Sequence, residues 1–293
     1  MPGLAAVPAF IGAVDGTCSF EELPPDGLLA DVEFYAPLYM GPPESLRIMS
    51  RMPRLRVCQL LTAGYEHALE HVPAGVALCN AAGVHDTSTA ELAVGLAIAR
   101  LRGIDDFARA MPSGAWLHGS RDALADRTVV IVGAGNVGEA IRRRLEPFEV
   151  DLHVVGRTAR PGVHGAEDLR VLVRRAGVVI LAVPLTDQTR HLVDDEFLAL
   201  LPDGALVVNV ARGPVVDTDA VLRHAGRLRF ALDVTDPEPL PADHPLWQEP
   251  RVLISPHVGG NTSAFRPRIH ALVSAQVQAW RAGEPLRNVV ASV

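Results

Sequence analysis

Lysine is absent from the 293 residues, and all 27 basic side chains are arginine. The absence removes two large enzyme classes, because a Schiff base to pyridoxal phosphate and a Walker-type phosphate loop both need the lysine amine. Cysteine is scarce. Cys18, Cys58 and Cys79 are odd in number and lack CxxC spacing, which speaks against a disulfide framework and for thiols in a reducing compartment. There is no block of like charge, and a net charge of -7 argues against nucleic acid or an anionic membrane as partner and leaves a small ligand. No apolar run reaches the roughly 18 residues of a membrane span. The apolar stretch Leu4 to Val14 has no basic residue before it and is interrupted by Pro8, so it reads as a first strand rather than a signal peptide. The expected compartment is the cytoplasm.

What is present is an α/β rhythm. Hydrophobic residues make up 48 % of the chain, enough to exclude disorder, and at roughly 150 residues per domain the length suggests two domains. In the second half, short β-rich runs at Val129–Val132, Asp151–Val155, Val178–Val183, Ala205–Val210, Phe230–Val234 and Val252–Ile254 alternate with helical stretches, as βαβ units require. The first half repeats the idea at Val7–Ile11, Val32–Phe34, Val57–Leu61 and Val76–Leu78. Between the halves, Ser88-Thr89-Ala90-Glu91 reads as a capping box opening an almost wholly apolar helix to about Leu101, placed at a domain or subunit junction. Ala108–Arg121 reads as the linker after it, and a last helix near Ile269–Trp280 as a return to the first domain.

Gly133-Ala134-Gly135-Asn136-Val137-Gly138 follows the first of these strands and precedes a helical stretch. In that context GxGxxG marks a dinucleotide site: Gly133 permits the turn, Gly135 the approach of a pyrophosphate, and Gly138 the packing of helix on strand. The next strand ends at Gly156, where an Asp or Glu would hold the adenosine ribose. That acid is missing. Gly156-Arg157-Thr158-Ala159-Arg160 instead offers two guanidinium groups and a hydroxyl to a 2'-phosphate, which favours NADP(H) and leaves NAD(H) possible. Three further motifs each follow a strand: Asn209-Val210-Ala211-Arg212-Gly213, Asp233 to Pro239 (DVTDPEP), and Pro256-His257-Val258-Gly259-Gly260. Arg212 stays charged and can clamp an anionic carbonyl compound; His257 is the natural general acid near neutral pH, with Glu238 as the carboxylate that orients it. His67 and His71 have HxxxH spacing without the acid and third ligand of a zinc site, so they read as a partly exposed helix or loop, and no metal is expected.

Over Leu55 to Thr262 the chain resembles the D-isomer-specific 2-hydroxyacid dehydrogenases, and within them the glyoxylate/hydroxypyruvate reductase branch. Besides the motifs above, Cys79-Asn80-Ala81-Ala82-Gly83, Pro184-Leu185-Thr186 with Thr189, and Pro239 to Leu246 carry the likeness. The resemblance implies two Rossmann-like, doubly wound parallel-sheet domains, one flavodoxin-like and one dinucleotide-binding, with the active site in the cleft between them. Residues 1–87 with 268–293 would form the substrate domain and 88–267 the dinucleotide domain. It makes Arg212, Glu238 and His257 catalytic and places the substrate carboxylate on the backbone of Thr62, Ala63 and Gly64, with Arg212 and His257 also touching substrate. Relatives that oxidise phosphite carry a lysine in that loop, so Ala63 argues against that activity. Val183, Pro184, Thr189, Val210, Ala211, Asp233, His257, Gly259 and Gly260 join the glycine turn in lining the cofactor, Asp233 and the Ala211 carbonyl as partners of the nicotinamide carboxamide. The expected partners are a small 2-oxo or 2-hydroxy acid and a second copy of the chain, paired through the apolar helix and the 108–121 arm. Two other readings stay open: a dinucleotide-dependent binding protein of the corepressor kind, and a dehydrogenase for a bulkier 2-oxo acid.

Overall fold

The computed structural model describes residues 10–12, 15–16 and 26–292, the first two segments as backbone only; Val7 to Ala9 of the first expected strand and Cys18 lie outside them. The chain divides into two units, Asp86–Thr262 and the remainder on either side of it. Along the chain the first unit supplies β1 (Phe10–Gly12), β2 (Asp15–Gly16), β3 (Val32–Tyr35), α1 (Glu44–Arg47), β4 (Val57–Gln59) and β5 (Ala77–Cys79). The second follows with α2 (Asp86–Arg102), α3 (Ile104–Ala110), β6 (Thr128–Val132), α4 (Asn136–Leu145), β7 (Asp151–Val155), α5 (Leu169–Leu172), β8 (Val178–Leu181), α6 (Asp195–Leu200), β9 (Leu206–Asn209), α7 (Thr218–His224), β10 (Arg229–Leu232) and β11 (Val252–Ile254). The chain then returns to the first unit as α8 (Phe265–Ala282) and β12 (Val289–Ser292). Both crossings leave α2 and α8 whole, which shifts the expected boundaries at 87 and 267 toward the N-terminus.

The second unit holds an entirely parallel sheet in the order β11-β10-β9-β8-β6-β7. β8 and β9 are buried at every residue, the pattern of strands covered on both faces. One core layer packs Val130, Val179, Phe197, Val207 and Phe230; the other packs α2 and α4 residues such as Ala97, Leu101 and Ile141 against Val129, Ile131 and Val208. The chain leaves β6 for β7 on one side and crosses back to β8 on the other. In open α/β sheets this reversal is where ligands bind, beyond the carboxyl ends of the strands.

The sheet of the first unit has the order β12-β5-β4-β3-β1-β2, with β3, β4 and β5 parallel and β1, β2 and β12 antiparallel to their neighbours. It is therefore mixed, with a parallel centre of β3, β4 and β5 and antiparallel strands on either side. The capping box expected at Ser88 does not form. α2 begins two residues earlier, at Asp86, and the Ser88 hydroxyl pairs instead with Thr262 Oγ1 at 2.8 Å. The expected linker is helical at its start, since α3 reaches Ala110 and a 3-10 turn follows at Met111–Ser113. No helix among the described residues is long and apolar enough to cross a membrane.

Candidate active site

The glycine turn joins β6 to α4 at the point of sheet reversal. Gly133 has φ +122°, which a side chain would strain, and a Cβ there would fall on the Ala182 carbonyl. A Cβ at Gly138 would fall on the Gly133 carbonyl, so helix and strand approach as closely as backbone allows. At Gly135 a Cβ would meet nothing within 4 Å, and this residue caps α4 without any side-chain bond. The first amides of α4, those of Asn136, Val137 and Gly138, thus stand without a side-chain cap beside open space. That is the donor set a pyrophosphate needs, and the residues fit a dinucleotide.

Beyond β7 the segment from Gly156 folds back on itself: Arg160 and Val163 exchange backbone hydrogen bonds at 3.0 and 2.8 Å, and the Gly156 amide reaches His164 O at 2.9 Å. Arg160 then donates to the Ala134 carbonyl inside the glycine turn at 2.8 Å. Arg157 and Thr158 remain exposed. Both arginines are exposed, and they differ in that Arg160 latches the loop to the turn while Arg157 has no hydrogen-bond partner among the described residues. Beyond β8, Val183 leads to Pro184, whose carbonyl accepts the Thr189 hydroxyl at 2.6 Å, while Thr189 Oγ1 accepts the Thr186 amide at 2.8 Å.

Three loops beyond β9, β10 and β11 bring the other polar groups together. Buried Asn209 closes the first: its Oδ1 accepts the Ala211 amide at 3.0 Å, and its Nδ2 donates to Arg212 O at 3.0 Å, across Val210. Arg212 is extended and half-buried, with one guanidinium N–H on the Ala211 carbonyl at 2.7 Å. Gly213 fits because a Cβ there would strike the Thr235 carbonyl. In the second loop, Thr218 Oγ1 bonds Asp236 O at 2.6 Å and Thr235 Oγ1 bonds Pro237 O at 2.9 Å, which holds the segment leading to Glu238.

Asp233 is buried, 3 % exposed, and builds the third loop. Its Oδ1 accepts the Ser255 hydroxyl at 2.7 Å and the Val258 amide at 2.9 Å, its Oδ2 the Gly259 amide at 2.9 Å, and its carbonyl the His257 amide at 2.8 Å. Four bonds hold His257 at φ +51°, a left-handed conformation unusual for a side-chain residue. Gly260 ends the loop. His257 Nδ1 hydrogen-bonds Glu238 Oε1, which leaves Nε2 as the ring atom available for proton exchange. Burial works to raise the Glu238 carboxyl. The hydrogen bond and charge of His257, the Thr235 amide and the Arg212 guanidinium outweigh it and hold Glu238 below its ordinary value.

The sequence marked Asp233 and the Ala211 carbonyl as receivers of a carboxamide; both already accept hydrogen bonds within the protein. Each retains a lone pair, since a carboxylate offers about four acceptor positions and a carbonyl two. Asn209 had no role beyond its place in a motif, although a polar residue ending a wholly apolar strand is a readable signal. Trp247 is 46 % exposed, with its indole N–H on the Pro241 carbonyl at 2.8 Å. In the first unit, the segment Thr62-Ala63-Gly64 follows β4 at the carboxyl edge of its parallel strands.

The sequence model described as D-isomer specific 2-hydroxyacid dehydrogenase, NAD binding domain, matches residues 94–259. A glyoxylate reductase of Thermofilum pendens is 32 % identical over 256 residues, covering 81 % of this chain and 75 % of that protein. Among solved structures, a D-isomer specific 2-hydroxyacid dehydrogenase of Xanthobacter autotrophicus in complex with NADPH and MES superposes with TM-score 0.77 at 29 % identity, over 90 % of this chain and 85 % of the other. An NADPH-dependent glyoxylate/hydroxypyruvate reductase of Sinorhizobium meliloti in complex with NADP and sulfate gives TM-score 0.78 at 25 % identity, over 89 % and 85 %.

Proposed function

We propose that this chain, which belongs to the D-isomer-specific 2-hydroxyacid dehydrogenase family and is an NAD(P)-dependent oxidoreductase acting on 2-oxo acids, reduces small 2-oxo acids, glyoxylate or hydroxypyruvate first, to the 2-hydroxy acid, the D-isomer where the product is chiral. The observation that carries this reading is the contact between His257 Nδ1 and Glu238 Oε1 within the field of Arg212, at the strand edge that also holds the glycine turn. A reduced nicotinamide bound there supplies the hydride.

The protein's own role is to bind, polarise and protonate. Arg212 holds the substrate through its carboxylate and carbonyl oxygen and stabilises the charge that develops on oxygen. His257, its Nδ1 held by Glu238, gives a proton from Nε2 to that oxygen, a contribution typically worth ~10²- to 10⁴-fold in rate. The amides of Ala63 and Gly64 receive the substrate carboxylate. Arg157 with Thr158 and Arg160 make NADPH the preferred cofactor, a preference supported by the missing acid after β7 and by the NADPH and NADP bound to similar enzymes.

The working form is a homodimer. Exposed Met111, Trp116 and Leu117, 77 %, 91 % and 43 % accessible, form an apolar arm that suits a second copy of the chain. Free, buried Cys58 and Cys79 fit the cytoplasm.

NADPH consumption across a series from glyoxylate and hydroxypyruvate to bulkier 2-oxo acids tests the substrate class. Turnover should peak at the small members. A maximum at the bulky end assigns another dehydrogenase specificity, and tight NADPH binding without turnover assigns a dinucleotide-dependent binding role.

A further inference from the structure

All three carbonyls of Thr62-Ala63-Gly64 are tied. Thr62 O accepts the Ala81 amide at 2.8 Å, Ala63 O accepts Asn80 Nδ2 at 2.6 Å, and Gly64 O accepts the Thr62 hydroxyl at 2.7 Å. In a trans peptide the C=O and the following N–H point in opposite directions. Holding the Thr62 and Ala63 carbonyls toward residues 80 and 81 therefore turns the amides of Ala63 and Gly64 the other way. Neither amide has a hydrogen-bond partner among the described residues, although Gly64 is buried. Successive amides facing one way make an anion-binding concavity, and a buried amide left without a partner is rare in folded proteins.

We propose that Asn80 is the positioning residue of this loop, aiming the Gly64 amide at the substrate carboxylate by holding the Ala63 carbonyl behind it. The proposal rests on the reading of Thr62–Gly64 as the carboxylate receptor. Asn80 is 7 % exposed and acts through Ala63 rather than on the substrate. Its amide has a single satisfied orientation, because Oδ1 accepts the Ala82 amide at 3.2 Å and Nδ2 thereby faces Ala63.

The backbone that carries Asn80 is clamped in turn. Its N–H donates to Asn288 O at 3.1 Å, and its carbonyl accepts Gln59 Nε2 at 3.0 Å and Asn288 Nδ2 at 3.4 Å. Gln276, from the middle of α8, donates to Gln59 Oε1 and to Arg287 O, both at 2.8 Å. The C-terminal segment thus fixes the residue that fixes the loop.

The test is steady-state kinetics of Asn80→Ala and Asn80→Asp with glyoxylate, together with calorimetric titration of oxalate in the presence of NADPH. Asn80→Asp keeps the shape but sets an acceptor against the Ala63 carbonyl, so it carries the test should Asn80→Ala fail to fold. KM for glyoxylate and Kd for oxalate should rise about tenfold or more, the worth of a charge-assisted hydrogen bond. kcat should change far less, and NADPH affinity should hold. Unchanged KM and oxalate affinity alongside a lowered Tm would make Asn80 a purely structural residue and overturn the proposal. If the wild type reduces no 2-oxo acid, the proposed function fails and oxalate alone decides: binding weakened by the variants upholds the role of Asn80, and binding absent or indifferent to them overturns it.

Discussion

His257 Nδ1 meets Glu238 Oε1 although the two residues stand on loops that follow different strands, β11 and β10, of one parallel sheet. Reduction consumes a proton, so its rate should be highest at acidic to neutral pH and fall toward alkaline pH; oxidation should show the reverse trend. The Glu238 carboxyl is held below its ordinary value and so stays ionised throughout that range. Glu238→Gln keeps the shape and removes the charge that faces Nδ1, so reduction should lose about tenfold or more in kcat while NADPH affinity holds. An unchanged kcat would separate Glu238 from the proton chemistry. The same lowering has a consequence for folding: the stabilisation from Glu238 is present above the unfolded carboxyl pKa of about 4.3 and is lost as pH falls through the lower folded value.

The unequal arginines beyond β7 separate two effects. Arg157 is exposed and free to meet a phosphate, so Arg157→Ala should weaken NADPH and leave NADH nearly unchanged. Arg160 also latches the loop to Ala134, so Arg160→Ala should weaken both cofactors, NADPH more. Calorimetric titration of each variant with each dinucleotide reads this directly. Equal wild-type affinity for the two would remove the proposed preference.

Arg212 stands beyond β9, whereas the proposed pyrophosphate receptor is the glycine turn beyond β6. Arg212→Ala should therefore lose about a hundredfold or more in kcat/KM, in the range seen when a preorganised charge-stabilising group is removed, while NADPH affinity changes little. Near-normal turnover in this variant would point to a different active site.

Much of the second unit can be read from apolar runs, because a buried parallel strand shows itself as an unbroken stretch of Val, Ile and Leu. β8, β9 and β10 nevertheless stop before Val183, Val210 and Val234, where the backbone leaves the sheet to build the ligand edge. The first unit was less legible. β2 is only two residues long, and β12 pairs with β5 across some two hundred residues of sequence, with Gln276 and Asn288 holding it there. At the site, residue types announce the arginine, glutamate and histidine by motif. Asn209 works locally, on Ala211 and Arg212, but what Asp233 and Asn80 do for backbone far along the chain depends on tertiary approach, which no local pattern encodes. The same holds for Ser88, whose sequence context suits a cap and whose hydroxyl finds Thr262.

Burial pushes the Cys58 thiol well above its usual range, with neighbouring Cys79 adding to the effect, and pushes Cys79 up to about 11 against the pull of a hydrogen bond to Gln276. In a Cys18→Ser background, neither thiol should react with a disulfide reagent at about pH 8 in the native state, since the thiolate is the reactive form. Both should react in denaturant. Fast native labelling would contradict the packing of β4 and β5.

Assembly is best probed where the chain is exposed. Leu96 on α2 is buried within the second unit's own core, so a charge there would unfold the unit rather than separate one copy from another. Trp116→Ser with Leu117→Ser alters only exposed side chains and should shift the light-scattering mass toward monomer at micromolar concentration. A wild type that is already monomeric would remove the homodimer.

The most direct measurement is the initial rate of NADPH oxidation with hydroxypyruvate by the wild type and by His257→Ala, with the chirality of the glycerate formed determined on the same samples. The wild type should turn over and yield the D-isomer, and His257→Ala should lose roughly a hundredfold or more in kcat while still binding NADPH. Full activity without the histidine, the L-isomer as product, or NADPH binding with no turnover in the wild type would each overturn the proposed function.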